Sequence, residues 1–197
     1  MAFEVSKDQQ DALTELINIG IGRAAHVINQ MISERVTLSV PEIKIAQLST
    51  LWAELGLANE RVSTVTMDFS GSFSGQSAIV LSSKSATNLV SALVGGDAME
   101  TEELDMLKVS TLSEVGNIIA NNIVGSIANA LQKRLEYNIP YYQEVTSFSE
   151  IGVNANNIGI VAKTQFQVRN LEIKGDIVLV FATDGLDKLL ADVSALL

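Results

Sequence analysis

The sequence predicts a mixed α/β (α+β) fold: a single domain with an internal pseudo-two-fold repeat, in which long helices pack on a central sheet of about six strands. Two long segments with helical periodicity, several short segments with strand periodicity, and the same order of elements in both halves lead to this prediction. Apolar residues make up 47% of the 197 residues and charged residues 18%, which is enough for a sizeable core. We expect one domain over residues 1–197, with repeated halves over about 8–97 and 106–197.

The first half begins with a helix predicted over about Asp8–Ser33. Its apolar residues recur at steps of three and four as far as Met31, which predicts one buried stripe along the helix. Val36–Ala46 follows as a strand rich in β-branched residues. Because this segment contains Pro41, it should lie at a sheet edge or begin after the proline. Trp52–Asn59 is an ambiguous connection with room for one short helical turn.

Two more strands and a second helix complete the first half. Val65–Ser70 alternates apolar and polar residues, and Ala78–Leu81 is continuously apolar, with a natural turn at Gly71–Gly75 between them. Lys84–Val94 is typical of a short helix, and Gly95-Gly96 after it is a signal for a helix C-cap.

The second half has the same order of elements. A long helix is predicted over about Met106–Leu135, and a weaker strand candidate follows at Pro140–Ser147. Ile160–Arg169 alternates as a half-buried strand does, and Ile177–Ala182 is predicted as a buried strand. Leu186–Leu197 is predicted as a short terminal helix.

A duplication explains this order. A shift of 99 or 100 residues superposes identical residues, and two halves that each have one apolar face can bury those faces against a shared sheet with pseudo-two-fold symmetry. The superposed pairs include Glu15 with Glu114, Asn18 with Asn117, Pro41 with Pro140, Gly75 with Gly175 and Leu89 with Leu189.

Composition excludes several classes of function. The chain has a formal charge of −10, which disfavours nucleic-acid binding. It has no cysteine and only one histidine, His26, so disulfides, zinc fingers, thiol nucleophiles and His-rich metal sites are excluded. The longest apolar run has six residues, and the N-terminus lacks an apolar signal-peptide segment, so we expect a cytoplasmic protein without membrane insertion.

Both long helices carry the same polar stripe. Residues spaced i, i+4, i+7 and i+11 lie on one side of a helix. In each half, 22 residues separate the asparagine of the stripe from a proline, and these are the only two prolines in the chain. The first stripe consists of Asp11, Glu15, Asn18 and Gly22, and the second stripe of Ser110, Glu114, Asn117 and Asn121.

A carboxylate and a carboxamide one turn apart can pair with a cation and hold a water molecule, but neither is a good nucleophile here. The stripe becomes a plausible site if a partner supplies the remaining groups. A solvated helix face is the alternative interpretation of a single Glu-x2-Asn. The matched second copy of the stripe and the two prolines favour the interpretation as a functional site.

The motifs Asp-x3-Glu-x2-Asn-x22-Pro and Ser-x3-Glu-x2-Asn-x22-Pro resemble those of the CheC/FliY/CheX family of chemotaxis phosphatases. The run Asn18-Ile19-Gly20-Ile21-Gly22-Arg23-Ala24-Ala25 is similar to the Asn-Ile-Gly-x-Gly-x-Ala run of that family. Two intact sets in a short chain resemble the CheC type, and the resemblance covers essentially the whole chain.

The resemblance implies hydrolysis of the aspartyl phosphate on a phosphorylated CheY-like response regulator. It implies that Asn18 and Asn117 position the attacking water, while Glu15 and Glu114 pair with the regulator's active-site lysine. Asp11 and Ser110 would make peripheral docking contacts. The chain would need no cofactor of its own, because Mg²⁺ is expected on the regulator.

Gly22 leaves room for an approaching backbone, whereas the bulkier Asn121 could weaken docking or supply a new hydrogen bond. Pro41 and Pro140 are expected to fix the strand after each helix. The alternative function is a non-catalytic adaptor, because relatives in this family also bind CheD, a receptor deamidase. A flagellar motor component is a weaker alternative.

Overall fold

A computed structural model describes residues 5–31, 35–54, 60–94, 101–153, 157–168, 171–181 and 185–197. Within these residues five α-helices pack with one antiparallel sheet of seven strands. The helices are α1 Lys7–Met31, α2 Leu48–Glu54, α3 Ser83–Val94, α4 Thr101–Ala130 and α5 Gly185–Ser194. The strands are β1 Val36–Gln47, β2 Val62–Gly71, β3 Gly75–Ser82, β4 Leu135–Tyr137, β5 Tyr141–Val145, β6 Ile158–Val168 and β7 Leu171–Phe181.

The predicted mixed α/β class is confirmed, and all six predicted strands form. The sheet order is β1-β6-β7-β3-β2-β4, and β5 also pairs with β2. Strand β4 is the seventh; it begins at Leu135, the predicted last residue of the second long helix, and its other two residues were predicted in no element. The C-cap expected at Gly95-Gly96 lies outside the described residues.

The prediction that the second long helix continues to Leu135 is wrong. Gln132 adopts a left-handed conformation with φ 55°. The N–H of Lys133 donates to the carbonyl of Ala128 at 2.8 Å, and the N–H of Gln132 donates to the carbonyl of Asn129 at 3.1 Å. This is the hydrogen-bond pattern of a Schellman motif, which ends a helix. Because glycine is the usual residue at that position, a glutamine there gave no stop signal.

Both faces of the sheet are covered. The larger core lies between one face and helices α1, α3, α4 and α5, and it includes Phe166 of β6 and Ile177 of β7. On the other face, α2 and a short 3-10 helix at Phe148–Ile151 cover a smaller cluster. There Trp52 meets Phe148 edge to face at 4.6 Å between ring centroids.

The arrangement of strands and helices has the symmetry that the repeat predicted. Read from its two ends, the sheet order gives equivalent strands of the two halves in the same sequence. The equivalent strands β3 and β7 pair at the centre, where Ala78 lies opposite Val178. In the helices, Gly20 packs against Ile123, whereas Met31 shares a groove with Ser110. Helices α1 and α4 therefore run antiparallel.

Pro41 lies within β1, and Pro140 lies directly before β5. Among the described strands, β1 pairs only with β6 and lies at a sheet edge, one of the two arrangements predicted for it. Its register shifts between Ser39 and Glu42, the interval that contains Pro41. A residue without an N–H is tolerated at such an irregularity.

Candidate functional site

The first stripe lies on the surface of α1. Asp11, Glu15, Asn18 and Gly22 are all exposed. In the second stripe, on α4, Ser110 and Glu114 are exposed, whereas Asn117 and Asn121 are half-buried. Both Glu/Asn pairs are therefore accessible to a partner, and neither is sealed under the core.

Each stripe faces away from the contact between the two long helices. Gly20 touches α4, and Asn18 and Gly22 lie two residues to either side of it, which places them about 200° around the helix. Ile123 touches α1, and Asn121 lies two residues before it. The fold thus buries the contact between α1 and α4 and turns the two stripes outward.

The two glycines near Asn18 differ in how closely other atoms pack against them. A Cβ at Gly20 would lie 2.5 Å from the Cα of Ile123 and 2.8 Å from the carbonyl oxygen of Asn122, so only glycine allows this close approach of the helices. A Cβ at Gly22 would meet no atom within 4 Å. Packing within the described residues therefore does not require a glycine at position 22, in contrast to position 20.

The second stripe contains a contact that the first lacks. Asn121 Nδ2 donates a hydrogen bond of 2.6 Å to Asn117 Oδ1, one helical turn away. The equivalent of Asn121 in the first stripe is Gly22, which has no side chain to make this bond. This bond lies within α4, and the two effects on docking expected for Asn121, a weaker fit or a new hydrogen bond to a partner, stay predictions.

An apolar groove of about 320 Å³ borders the second stripe. Ser110 and Glu114 lie on its wall. Met31, expected from the sequence in the buried stripe of α1, is 55% exposed there, so that expectation is wrong. The rest of the groove consists largely of apolar side chains, namely Ile28, Leu93, Val94, Val115 and Ile118.

Polar contacts hold the beginning of α4 against the sheet. Lys108 Nζ lies 2.7 Å from Glu144 Oε1 on β5, and Tyr142 OH donates to the same oxygen at 2.9 Å. These hydrogen bonds, first that from Lys108, lower the pKa of the Glu144 carboxyl. This network fixes α4 half a turn before Ser110, the first residue of the second stripe.

Among the described residues, no group of three or more His, Cys, Asp or Glu side chains is placed to hold a metal ion. None of the described helices is long and apolar enough to span a membrane.

Comparison with known proteins points to one family. Residues 63–154 match the family model of the chemotaxis phosphatase CheX. The CheY-P phosphatase CheC of Bacillus subtilis is 25% identical over 138 residues, which are 69% of this chain and 66% of that protein. The chain therefore spans just under two thirds of the length of this curated relative.

Solved structures agree on the fold. The crystal structure of Thermotoga maritima FliY matches with a TM-score of 0.76 at 18% identity, covering 99% of this chain and 100% of that one. A chain of the CheX–CheY–BeF₃–Mg²⁺ complex from Borrelia burgdorferi matches with a TM-score of 0.52 at 15% identity, covering 89% of this chain and 96% of that one. At these identities the matches establish the architecture alone.

Proposed function

We propose that this chain acts as a member of the CheC/FliY/CheX family and hydrolyses the aspartyl phosphate of a CheY-like response regulator in chemotaxis signalling. One observation carries the proposal: two matching Glu/Asn stripes, on antiparallel helices, both face outward. The related protein of Bacillus subtilis is a CheY-P phosphatase, and the CheX of Borrelia burgdorferi binds CheY in its crystal structure.

Each stripe would serve as half of a composite active site. Glu15 and Glu114 supply a carboxylate for the cationic side chain of the regulator, and Asn18 and Asn117 lie one turn further along the same face. A carboxamide both donates and accepts hydrogen bonds, so it can hold a water molecule in line with the phosphorus. Phosphoryl transfer depends mainly on such positioning and on charge neutralisation.

The reaction needs no covalent intermediate on this chain. The oxygen of the positioned water bonds to phosphorus, and the bond from phosphorus to the aspartyl oxygen breaks. The aspartate leaves as a carboxylate, and inorganic phosphate retains the water oxygen while one proton passes to solvent. The Mg²⁺ that neutralises the phosphoryl oxygens would belong to the regulator.

The direct test follows phosphate loss from purified phosphorylated regulators of the host, with this protein at about one tenth of the regulator concentration. We expect faster decay of at least one regulator and several turnovers per protein molecule. Unchanged decay of every regulator would refute the enzymatic proposal. If a CheD-type deamidase or a motor protein then bound the chain, the adaptor alternative would be supported instead.

A further inference from the structure

We propose that Asn121 is a positioning residue of the second stripe, which orients the carboxamide of Asn117 and makes this stripe the better organised of the two sites. The proposal rests on the proposed phosphatase function. It also goes beyond that function, because it assigns different roles to two positions that the repeat makes equivalent.

The hydrogen bond between the two asparagines is the basis of this inference. Asn121 Nδ2 lies 2.6 Å from Asn117 Oδ1, and both side chains are half-buried. A terminal amide torsion is broad and rotates easily unless a partner fixes it. A donor on Oδ1 sets the plane of the Asn117 carboxamide and directs its NH₂ group away from Asn121.

The bond leaves Asn117 able to hold a water molecule. An amide oxygen has two lone pairs, so Oδ1 can accept from Asn121 and still accept one hydrogen bond from water. The NH₂ group of Asn117 keeps both of its donors. Asn121 therefore reduces the freedom of the carboxamide without using up the groups that the chemistry needs.

The first stripe shows the contrasting case. Asn18 is exposed, and the residue one turn later is Gly22, which cannot fix it. The space beside Gly22 is empty, since a Cβ there would meet no atom within 4 Å. A side chain can therefore begin at position 22 without a clash. This allows two matched tests: removing the Asn121 carboxamide from the second stripe and adding a carboxamide at position 22 of the first.

The two tests are made one site at a time. In an Asn18→Ala background, which leaves the second site, Asn121→Leu removes the donor at similar volume, and Asn121→Gln keeps a donor. We expect the leucine variant to lower kcat about three- to tenfold with KM changed less than twofold, and the glutamine variant to recover part of the loss. In an Asn117→Ala background, Gly22→Asn should raise kcat of the first site several-fold.

A change in KM with constant kcat would overturn the proposal, because it would make Asn121 a docking contact. Constant kcat in both backgrounds would overturn it as well. Side-chain amide relaxation by NMR separates this result from failure of the phosphatase proposal, since it needs no regulator. We expect the Asn117 amide to be more rigid than that of Asn18, and Asn121→Leu to abolish the difference; equal mobility of the two amides in the unmodified protein would contradict the proposed role.

Discussion

Replacing Asn18 and Asn117 together by alanine is expected to reduce the catalysed loss of phosphate from the regulator by about 100-fold or more. Misplacement of a reacting group by a small distance costs a factor of this size, and these replacements remove the groups proposed to hold the water. The folded structure should tolerate the change, because Asn18 is exposed and Asn117 is only half-buried. The decay of phosphorylated regulator over time gives the rate.

Binding provides the control for this prediction. Glu15 and Glu114 stay in place, so the double variant should bind the beryllofluoride form of the regulator with an affinity within about threefold of the unmodified protein. Such a result is expected when the lost interaction is made mainly in the transition state. The single replacements Asn18→Ala and Asn117→Ala should each leave measurable activity. Full activity in the double variant would show that hydrolysis does not depend on these asparagines.

Gly20→Ala is expected to destabilise the packing of α1 against α4. The new Cβ would lie 2.5 Å from the Cα of Ile123, and backbone cannot move aside as the end of a side chain can. We expect a loss of about 2–3 kcal/mol in the free energy of unfolding, the range found for overpacked cores. Urea unfolding followed by circular dichroism measures it.

Gly22→Ala is the matched control, two residues along the same helix. Its methyl group would meet nothing within 4 Å, and alanine is the better helix former, so the free energy of unfolding should rise by about 0.5–1 kcal/mol. A stable Gly22→Ala protein with a raised KM would support the docking role expected for this position. Equal destabilisation by both substitutions would contradict the different packing of the two glycines.

The sequence predicted the fold class and the two stripes because both depend on periodicity. Apolar residues at helical spacing marked α1 and α4, and the repeated Glu and Asn positions identified the same outward face twice. Strand alternation over Ile160–Arg169 likewise predicted β6. These signals arise from residues close together in the chain, where a pattern alone determines which side is buried.

Features that depend on contacts between distant segments were not predictable in this way. Nothing near Gly20 and Gly22 in the sequence indicates that one packs against α4 and the other against empty space. Met31 is exposed beside a groove that it shares with Leu93 and Val94 of α3, and β4 pairs with β2, which lies far from it in the sequence. The bond between Asn121 and Asn117 was not predicted, because the side chain of either asparagine can also turn towards solvent.

The engagement of both stripes by an activated regulator can be observed directly in the side-chain amide signals of asparagine. In a protein labelled with ¹⁵N at asparagine, addition of the beryllofluoride–Mg²⁺ form of the regulator should shift or broaden the signals of Asn18 and Asn117, and the unactivated regulator should have much less effect. Movement of other asparagine signals, with those of Asn18 and Asn117 unchanged at saturating regulator, would contradict docking through the stripes.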